Sequence, residues 1–158
     1  MLRQLQRGKQ SHTPCAFYLP CSDSAIHALQ YMNSIVIMGV AGCGKSSLGA
    51  AVAQACGLPL IEGDDHHSDS NRQKMQQGIA LTDADRDGWL GTLSDLLRRN
   101  TAGVVVTCSA LKRVYRDRLR QAAPGLRFVF LEIPRSEAQA RVAGRGQHFF
   151  NTSLVDNQ

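Results

Sequence analysis

The sequence predicts an α/β fold in which helices cover both faces of a mostly parallel sheet. Two observations lead to this prediction. From residue 34 onward, short apolar runs rich in Val and Ile alternate with longer segments of helical character, and such alternation is typical of parallel strands joined by right-handed crossovers. The chain of 158 residues is 43% hydrophobic and 20% charged, which is ordinary for one globular domain.

Four apolar runs predict the strands, and the segments between them predict the helices. The predicted strands cover residues 34–39, a short run from residue 60, residues 103–108 and residues 128–133. The predicted helices cover residues 44–56, 69–77, about 83–100, about 110–123 and 137–145.

Four polar residues are predicted to cap the N-terminal ends of three helices. Thr82 and Asp85 have the spacing of a capping box, in which the two residues bond to each other's backbone. Ser109 and Ser136 precede the last two helical segments and are expected to be their N-caps.

Residues 1–33 differ in composition from the rest of the chain. They carry three cations, no acid before Asp23 and no clear apolar periodicity, so we expect a poorly ordered extension ahead of a domain spanning 34–158. A transit peptide is the alternative, and Met32 is an alternative start. No apolar h-region is followed by a cleavage site, and the five cysteines are scattered without a Cys-x-x-Cys pair. A reducing, cytoplasmic location is therefore expected.

The net charge of +5 is concentrated in residues 98–127. A basic surface can bind nucleic acid, but no nucleic-acid-binding motif occurs, so a solvated helix face or contact with a small anion is favoured. No run of ~18 apolar residues occurs that could cross a membrane. We therefore expect neither a nucleic-acid nor a membrane partner.

A glycine-rich loop follows the first predicted strand. Residues 39–46 read G-V-A-G-C-G-K-S and match the phosphate-binding pattern G-x-x-x-x-G-K-[ST] in its required position between a strand and a helix. Glycines let backbone N–H groups converge on phosphate oxygens, and the helix N-terminus favours the same anion. Lys45 is expected to reach the β- and γ-phosphates and Ser46 to hold Mg²⁺. The predicted nucleotide-binding residues are Gly39, Val40, Ala41, Gly42, Cys43, Gly44, Lys45, Ser46 and Ser47.

Asp64 follows the second predicted strand, at the edge of the sheet where the phosphate loop also lies. A carboxylate there can orient a substrate hydroxyl and accept its proton. A turn or capping role is the alternative for Asp64. His66 and His67 follow it closely, and a contact to substrate or a place in the turn is favoured over a metal site because adjacent loop residues rarely converge on one ion.

Three further segments resemble the gluconokinase family of small P-loop sugar-acid kinases. Residues 62–90 contain G-D-D-H-H-S-D-S-N-R-Q-K-M followed by G-I-A-L-T-D-A-D-R-D-G-W-L. Residues 108–117 read C-S-A-L-K-R-V-Y-R-D, and residues 141–150 are similar to the lid segment of the family. With the phosphate loop, these four motifs stand in the family's order, and the resemblance extends over residues 34–158.

The resemblance implies the fold of shikimate and nucleoside monophosphate kinases, and ATP-dependent phosphorylation of D-gluconate with Mg²⁺. It also implies a homodimer as one possible assembly. Glu62 is expected to contact Mg²⁺ through water, by similarity to shikimate kinases. The implied catalytic residues are Lys45, Asp64, Arg141 and Arg145. The implied gluconate-binding residues are Asp64, His67, Lys74, Arg86, Lys112 and Arg116; on residue type and spacing alone, the basic helix and lid cations could also be solvated surface.

The chain departs from the family in two respects. Three family prolines are replaced by Ser68, Ala80 and Gly88, so we expect looser loops on the substrate side. Family members continue beyond the position of Gln158, so the resemblance predicts a domain without its last strand and helix. A related kinase with altered substrate choice and an inactive nucleotide-binding fragment are therefore alternative functions. Trp89 is expected to pack in the core.

Overall fold

The computed structural model describes residues 33–144, which form one parallel sheet flanked by helices. The sheet has four strands in the order β2-β3-β1-β4. All three strand pairs are parallel, with Ile35 of β1 in register with Val105 of β3 and Arg127 of β4. The strands are β1 (Ile35–Gly39), β2 (Leu60–Glu62), β3 (Val105–Cys108) and β4 (Arg127–Leu131).

Within the described residues, four α-helices and one 3₁₀ turn connect the strands and a fifth α-helix follows β4, so the predicted α/β fold is confirmed. The 3₁₀ turn Gly63–His66 follows β2 directly. The predicted extension 1–33, apart from Asn33, lies outside the described residues. The helices are α1 (Lys45–Cys56), α2 (Asp69–Gln76), α3 (Asp83–Arg99), α4 (Arg113–Ala122) and α5 (Arg135–Ala143).

The two faces of the sheet have separate apolar clusters. On one face, Val36 and Val106 pack with Leu93 and Leu97 of α3 and Leu119 of α4. These side chains are almost completely buried, and burying each one stabilises the fold by about 1.5–3 kcal/mol. On the other face, Ile37 and Val105 pack with Ala53 and its neighbours on α1. The layers are therefore helix, sheet and helix, as predicted.

The capping box at the start of α3 is confirmed. The Thr82 hydroxyl accepts a hydrogen bond from the Asp85 backbone N–H at 3.2 Å, and the Asp85 carboxylate accepts one from the Thr82 N–H at 2.9 Å. Ser68, at a position where the family has proline, caps α2 by accepting from the Asn71 N–H at 3.3 Å.

The two other predicted caps are wrong. Ala110 has a φ of 36°, in the left-handed region, so the chain turns after β3 and cannot continue as a helix from Ser109. Helix α4 instead begins at Arg113. Helix α5 has Pro134 at its N-cap, which places Ser136 inside the first turn.

The edge strand β4 pairs with β1 on one side, and the described residues contain no partner on its other side. Its Val129 and Phe130 side chains are exposed. Among residues 33–144, no helix has the length and apolarity needed to cross a bilayer.

Candidate active site

The phosphate loop connects β1 to α1 and takes its shape from left-handed glycines. Gly42 has a φ of 80° and Gly44 a φ of 98°, a conformation that side-chain-bearing residues rarely adopt. Gly44 is the N-cap of α1 and provides no side-chain cap, so N–H groups in the first helical turn are available to an anion. The Lys45 ammonium donates to the carbonyl oxygens of Gly39 at 3.2 Å and Val40 at 2.9 Å.

Helix α5 packs directly against this loop. Ala41 of the loop forms a buried cluster with Ala138 and Val142 of α5. A Cβ atom on Gly42 would lie 2.7 Å from the Ala138 carbonyl oxygen, so only glycine fits there. Arg141 extends from α5 toward Gly44 and forms an exposed ion pair with Glu137. The structure thus places Arg141 beside the loop, whereas Arg145 lies outside the described residues.

A hydroxyl and a carboxylate meet where α1 begins and β2 ends. The Ser46 hydroxyl donates to Glu62 Oε2 at 3.0 Å, and the Thr107 hydroxyl donates to the same oxygen. Oxygen ligands of this kind are those that Mg²⁺ prefers, together with water and phosphate oxygens. Residues 33–144 contain no cluster of three or more His, Cys, Asp or Glu that could hold a metal by themselves.

The 3₁₀ turn that carries Asp64 lies against the end of β3. A Cβ atom on Gly63 would come within 2.4 Å of the Thr107 carbonyl oxygen, so glycine is needed for this approach. Burial raises the pKa of the Cys108 thiol to about 12; the negative charge of Asp64 adds to this effect and the positive charge of Lys45 opposes it. The charges of Asp64 and Lys45 therefore both lie close enough to Cys108, at the end of β3, to affect its pKa.

Trp89 contacts both ends of this turn, in addition to packing in the core as predicted. Its indole N–H donates to the Gly63 carbonyl oxygen at 2.7 Å. Its ring stacks on His67, with centroids 4.6 Å apart and planes 11° from parallel. Burial, and then the charges of Arg86 and Arg72, lower the pKa of His67 to about 4, so its imidazole is neutral at pH 7.

The predicted substrate cations Arg86 and Lys112 line one pocket of about 180 Å³ between the N-terminal ends of α3 and α4. Lys112 and the Tyr115 hydroxyl both donate to the Asp83 carboxylate, and these bonds lower the Asp83 pKa. The Arg86 guanidinium lies 5.9 Å from the Tyr115 ring centroid. The remaining lining residues are Leu81, Ser109 and Leu111.

The other predicted substrate residues have different surroundings. Lys74 forms a 2.6 Å ion pair with Asp85. Arg116 donates to the carbonyl oxygens of Ala110 and Leu111 at 2.9 and 2.6 Å and thereby holds the loop after β3. His67 lines a second, more open hollow beside Trp89. Lys112 is the N-cap residue of α4, directly before its first residue Arg113, whereas Arg116 lies within the helix.

Sequence reasoning missed Asp83 and Tyr115 as parts of the pocket. Both residues occur in the segments that resemble the gluconokinase family, so their positions in those motifs could have identified them as pocket residues. The long-range contact of Trp89 with Gly63, across 26 positions, had no local signal.

Comparison with known proteins identifies relatives along most of the chain. A family profile described as "AAA domain" matches residues 35–158. The chain is 39% identical over 137 residues to a probable gluconokinase of Schizosaccharomyces pombe, covering 81% of this chain and 71% of that protein. It is 40% identical over 130 residues to the thermosensitive gluconokinase of Escherichia coli, covering 80% of this chain and 69% of that protein.

Solved structures have the same fold. A gluconokinase from Sinorhizobium meliloti superposes with a TM-score of 0.73 and is 51% identical, covering 81% of this chain and 73% of that one. An unliganded sugar kinase from Janibacter superposes with a TM-score of 0.75 and is 40% identical, covering 80% and 75% of the two chains.

Proposed function

The chain belongs to the gluconokinase family of P-loop kinases, and from this premise we propose that it transfers the γ-phosphoryl group of ATP to D-gluconate, giving 6-phospho-D-gluconate. The observation that carries this proposal is the meeting of three groups at one edge of the sheet. These are the phosphate loop with Lys45, the Ser46–Glu62 pair, and the turn that carries Asp64.

The residues of the loop fit a nucleoside triphosphate with Mg²⁺. Backbone N–H groups at the start of α1 and the Lys45 ammonium would hold phosphate oxygens. The Ser46 hydroxyl would bind Mg²⁺, with Glu62 holding one of its waters. When bound, Mg²⁺ neutralises charge on the phosphates.

Asp64 is the group that we assign to the acceptor hydroxyl. Its carboxylate would orient the terminal alcohol of gluconate and accept its proton, while Lys45 and Arg141 would stabilise charge on the transferring phosphoryl group. Arg145 is retained as a second lid cation on the resemblance alone.

The pocket between α3 and α4 fits a sugar acid. Gluconate combines a carboxylate with several hydroxyls, and the pocket combines the cations Arg86 and Lys112 with the hydroxyls of Ser109 and Tyr115. His67, which the resemblance implies as a substrate-binding residue, lines the second hollow beside Trp89, and its neutral imidazole cannot supply a cation for the carboxylate. Lys74 and Arg116, held by their own partners, would support the pocket walls.

A coupled assay with ATP, Mg²⁺ and a panel of sugar acids tests this function. Turnover of gluconate supports it. Turnover of a different acid alone would make the chain a related kinase with another substrate, and nucleotide binding without turnover would make it an inactive nucleotide-binding fragment. The homodimer stays a prediction, which light scattering on the same preparation checks.

A further inference from the structure

We propose that Trp89 is a positioning residue of the phosphoryl transfer: its indole fixes both ends of the turn that carries Asp64 and so sets where the carboxylate lies relative to the phosphate loop. This inference rests on the proposed function, in which Asp64 accepts the proton of the substrate hydroxyl.

The contacts of Trp89 span the whole turn. Its N–H holds the carbonyl oxygen of Gly63, the first residue of the 3₁₀ turn, and its ring stacks on His67, the residue directly after the turn. Asp64 lies between these two points. Because Trp89 is 3% exposed and belongs to the apolar cluster of α3, α4 and the sheet, it connects the turn to the rigid core.

The turn has little internal support. It is four residues long, has no side-chain cap, and is closed by a 3.4 Å hydrogen bond from the His67 N–H to the Asp64 carbonyl, and short 3₁₀ turns have poorer hydrogen-bond geometry than α-helices. External contacts therefore set its position. Arg72 adds two, to the carbonyl oxygens of Asp65 at 2.6 Å and His67 at 3.0 Å.

The stacking partner fits this role. His67 is 5% exposed, and its ring nitrogen Nδ1 is buried without a hydrogen-bond partner in the described part of the chain. The ring is therefore held by its face on the indole. An error of about 1 Å in the position of a reacting group can cost ~10²-fold in rate, so loosening either end of the turn should reduce turnover.

Trp89→Phe separates positioning from packing, because it keeps an aromatic ring and removes the N–H donor. We expect kcat to fall by ~10-fold, while the KM values for ATP and gluconate stay within about twofold because the pocket between α3 and α4 is unchanged. The matched control is Leu97→Val, a fully buried residue two turns further along α3. It should lower the melting temperature and leave kcat unchanged.

Hydrogen–deuterium exchange of the full chain provides a readout independent of turnover. We expect the peptide covering residues 60–68 to exchange faster in Trp89→Phe than in the wild type, and to be unaffected in Leu97→Val. Exchange that is no faster in Trp89→Phe overturns the positioning role, and so does an equal loss of kcat in the control. If the wild type does not phosphorylate gluconate, the proposed function fails, and the exchange comparison still decides whether Trp89 fixes the turn.

Discussion

The hydroxyl of Ser46 donates a 3.0 Å hydrogen bond to the carboxylate of Glu62, sixteen residues further along the chain. This contact joins the first turn of α1 to the end of β2. It therefore connects the loop that would hold phosphates to the segment that leads into the Asp64 turn, and both are predicted to be required for turnover.

Lys45→Ala should abolish turnover and leave the far-ultraviolet circular dichroism unchanged. We propose that this ammonium holds the transferring phosphates, and its two bonds in the structure go to loop carbonyls rather than to the core. Arg113→Ala is the control, because it removes an exposed cation whose ion pair with Asp117 contributes little. Unaltered turnover in Lys45→Ala would refute this site.

Asp64→Asn should lower kcat by ~10²-fold or more, since an amide cannot accept the proton of the substrate hydroxyl. The neighbouring carboxylate in Asp65→Asn serves as the control, on the same turn and with the same change in charge, and should keep near-normal kcat. Steady-state kinetics distinguishes the roles. A change confined to KM would reassign Asp64 to substrate binding.

Lys112→Met should raise the KM for gluconate by ~10-fold or more, because a charged hydrogen bond to a carboxylate is worth about 1.5–3 kcal/mol. The KM for ATP should not change. Arg118→Met, which removes a cation of α4 that pairs with Asp87, should leave both values as in the wild type. Equal weakening of ATP binding would place Lys112 outside the gluconate pocket.

Gly63→Ala should destabilise the fold by several kcal/mol, because its Cβ would come within 2.4 Å of the Thr107 carbonyl oxygen and backbone must move. Gly88→Ala gives the opposite expectation. A Cβ there meets nothing within 4 Å on α3, and replacing a helical glycine stabilises by about 0.5–1 kcal/mol. Urea unfolding measures both changes, and a stable Gly63→Ala protein would contradict the close seating of the turn.

Stability should fall as the pH is lowered from about 6.5 toward 4, in part through His67. Its pKa of about 4 in the folded protein is below the ordinary histidine value of 6.5, so the unfolded chain binds the proton first and is favoured in this window. Above about pH 6.5 His67 is neutral in both the folded and the unfolded chain, so it does not make stability depend on pH there. Melting temperatures of His67→Phe should depend less on pH there than those of the wild type; parallel pH profiles would contradict this origin.

The parts of the fold that follow from local chemistry could be predicted from the sequence. Short apolar runs predicted the four strands, and the Thr82–Asp85 pair predicted the start of α3. The prediction of Ser109 as an N-cap was wrong because the chain adopts a left-handed conformation at Ala110. Glycine, the residue that usually indicates such a conformation in a sequence, is not present at that position. Pro134, whose fixed φ suits the entry to a helix, was the stronger signal at the start of α5.

In the candidate site, too, the parts formed by one contiguous segment could be predicted, whereas the parts formed by distant segments could not. The phosphate loop could be predicted because one contiguous segment supplies all its parts. The pocket could be predicted only in part, since Asp83 and Tyr115 meet across 32 positions and no local pattern encodes such a contact. The family resemblance implied Lys74 and Arg116 at the substrate, and that assignment stays a prediction; in the structure Lys74 pairs with Asp85, and Arg116 donates to two backbone carbonyl oxygens.

The backbone bonds of Lys45 have a consequence for affinity. A nucleotide that binds must replace the two carbonyl oxygens that already accept hydrogen bonds from the Lys45 ammonium. The net binding free energy from Lys45 is therefore the difference between its bonds to the phosphates and its bonds to these carbonyls. The two bonds hold the ammonium beside the loop before a nucleotide binds, so little side-chain ordering entropy is lost when phosphate oxygens replace the carbonyl oxygens.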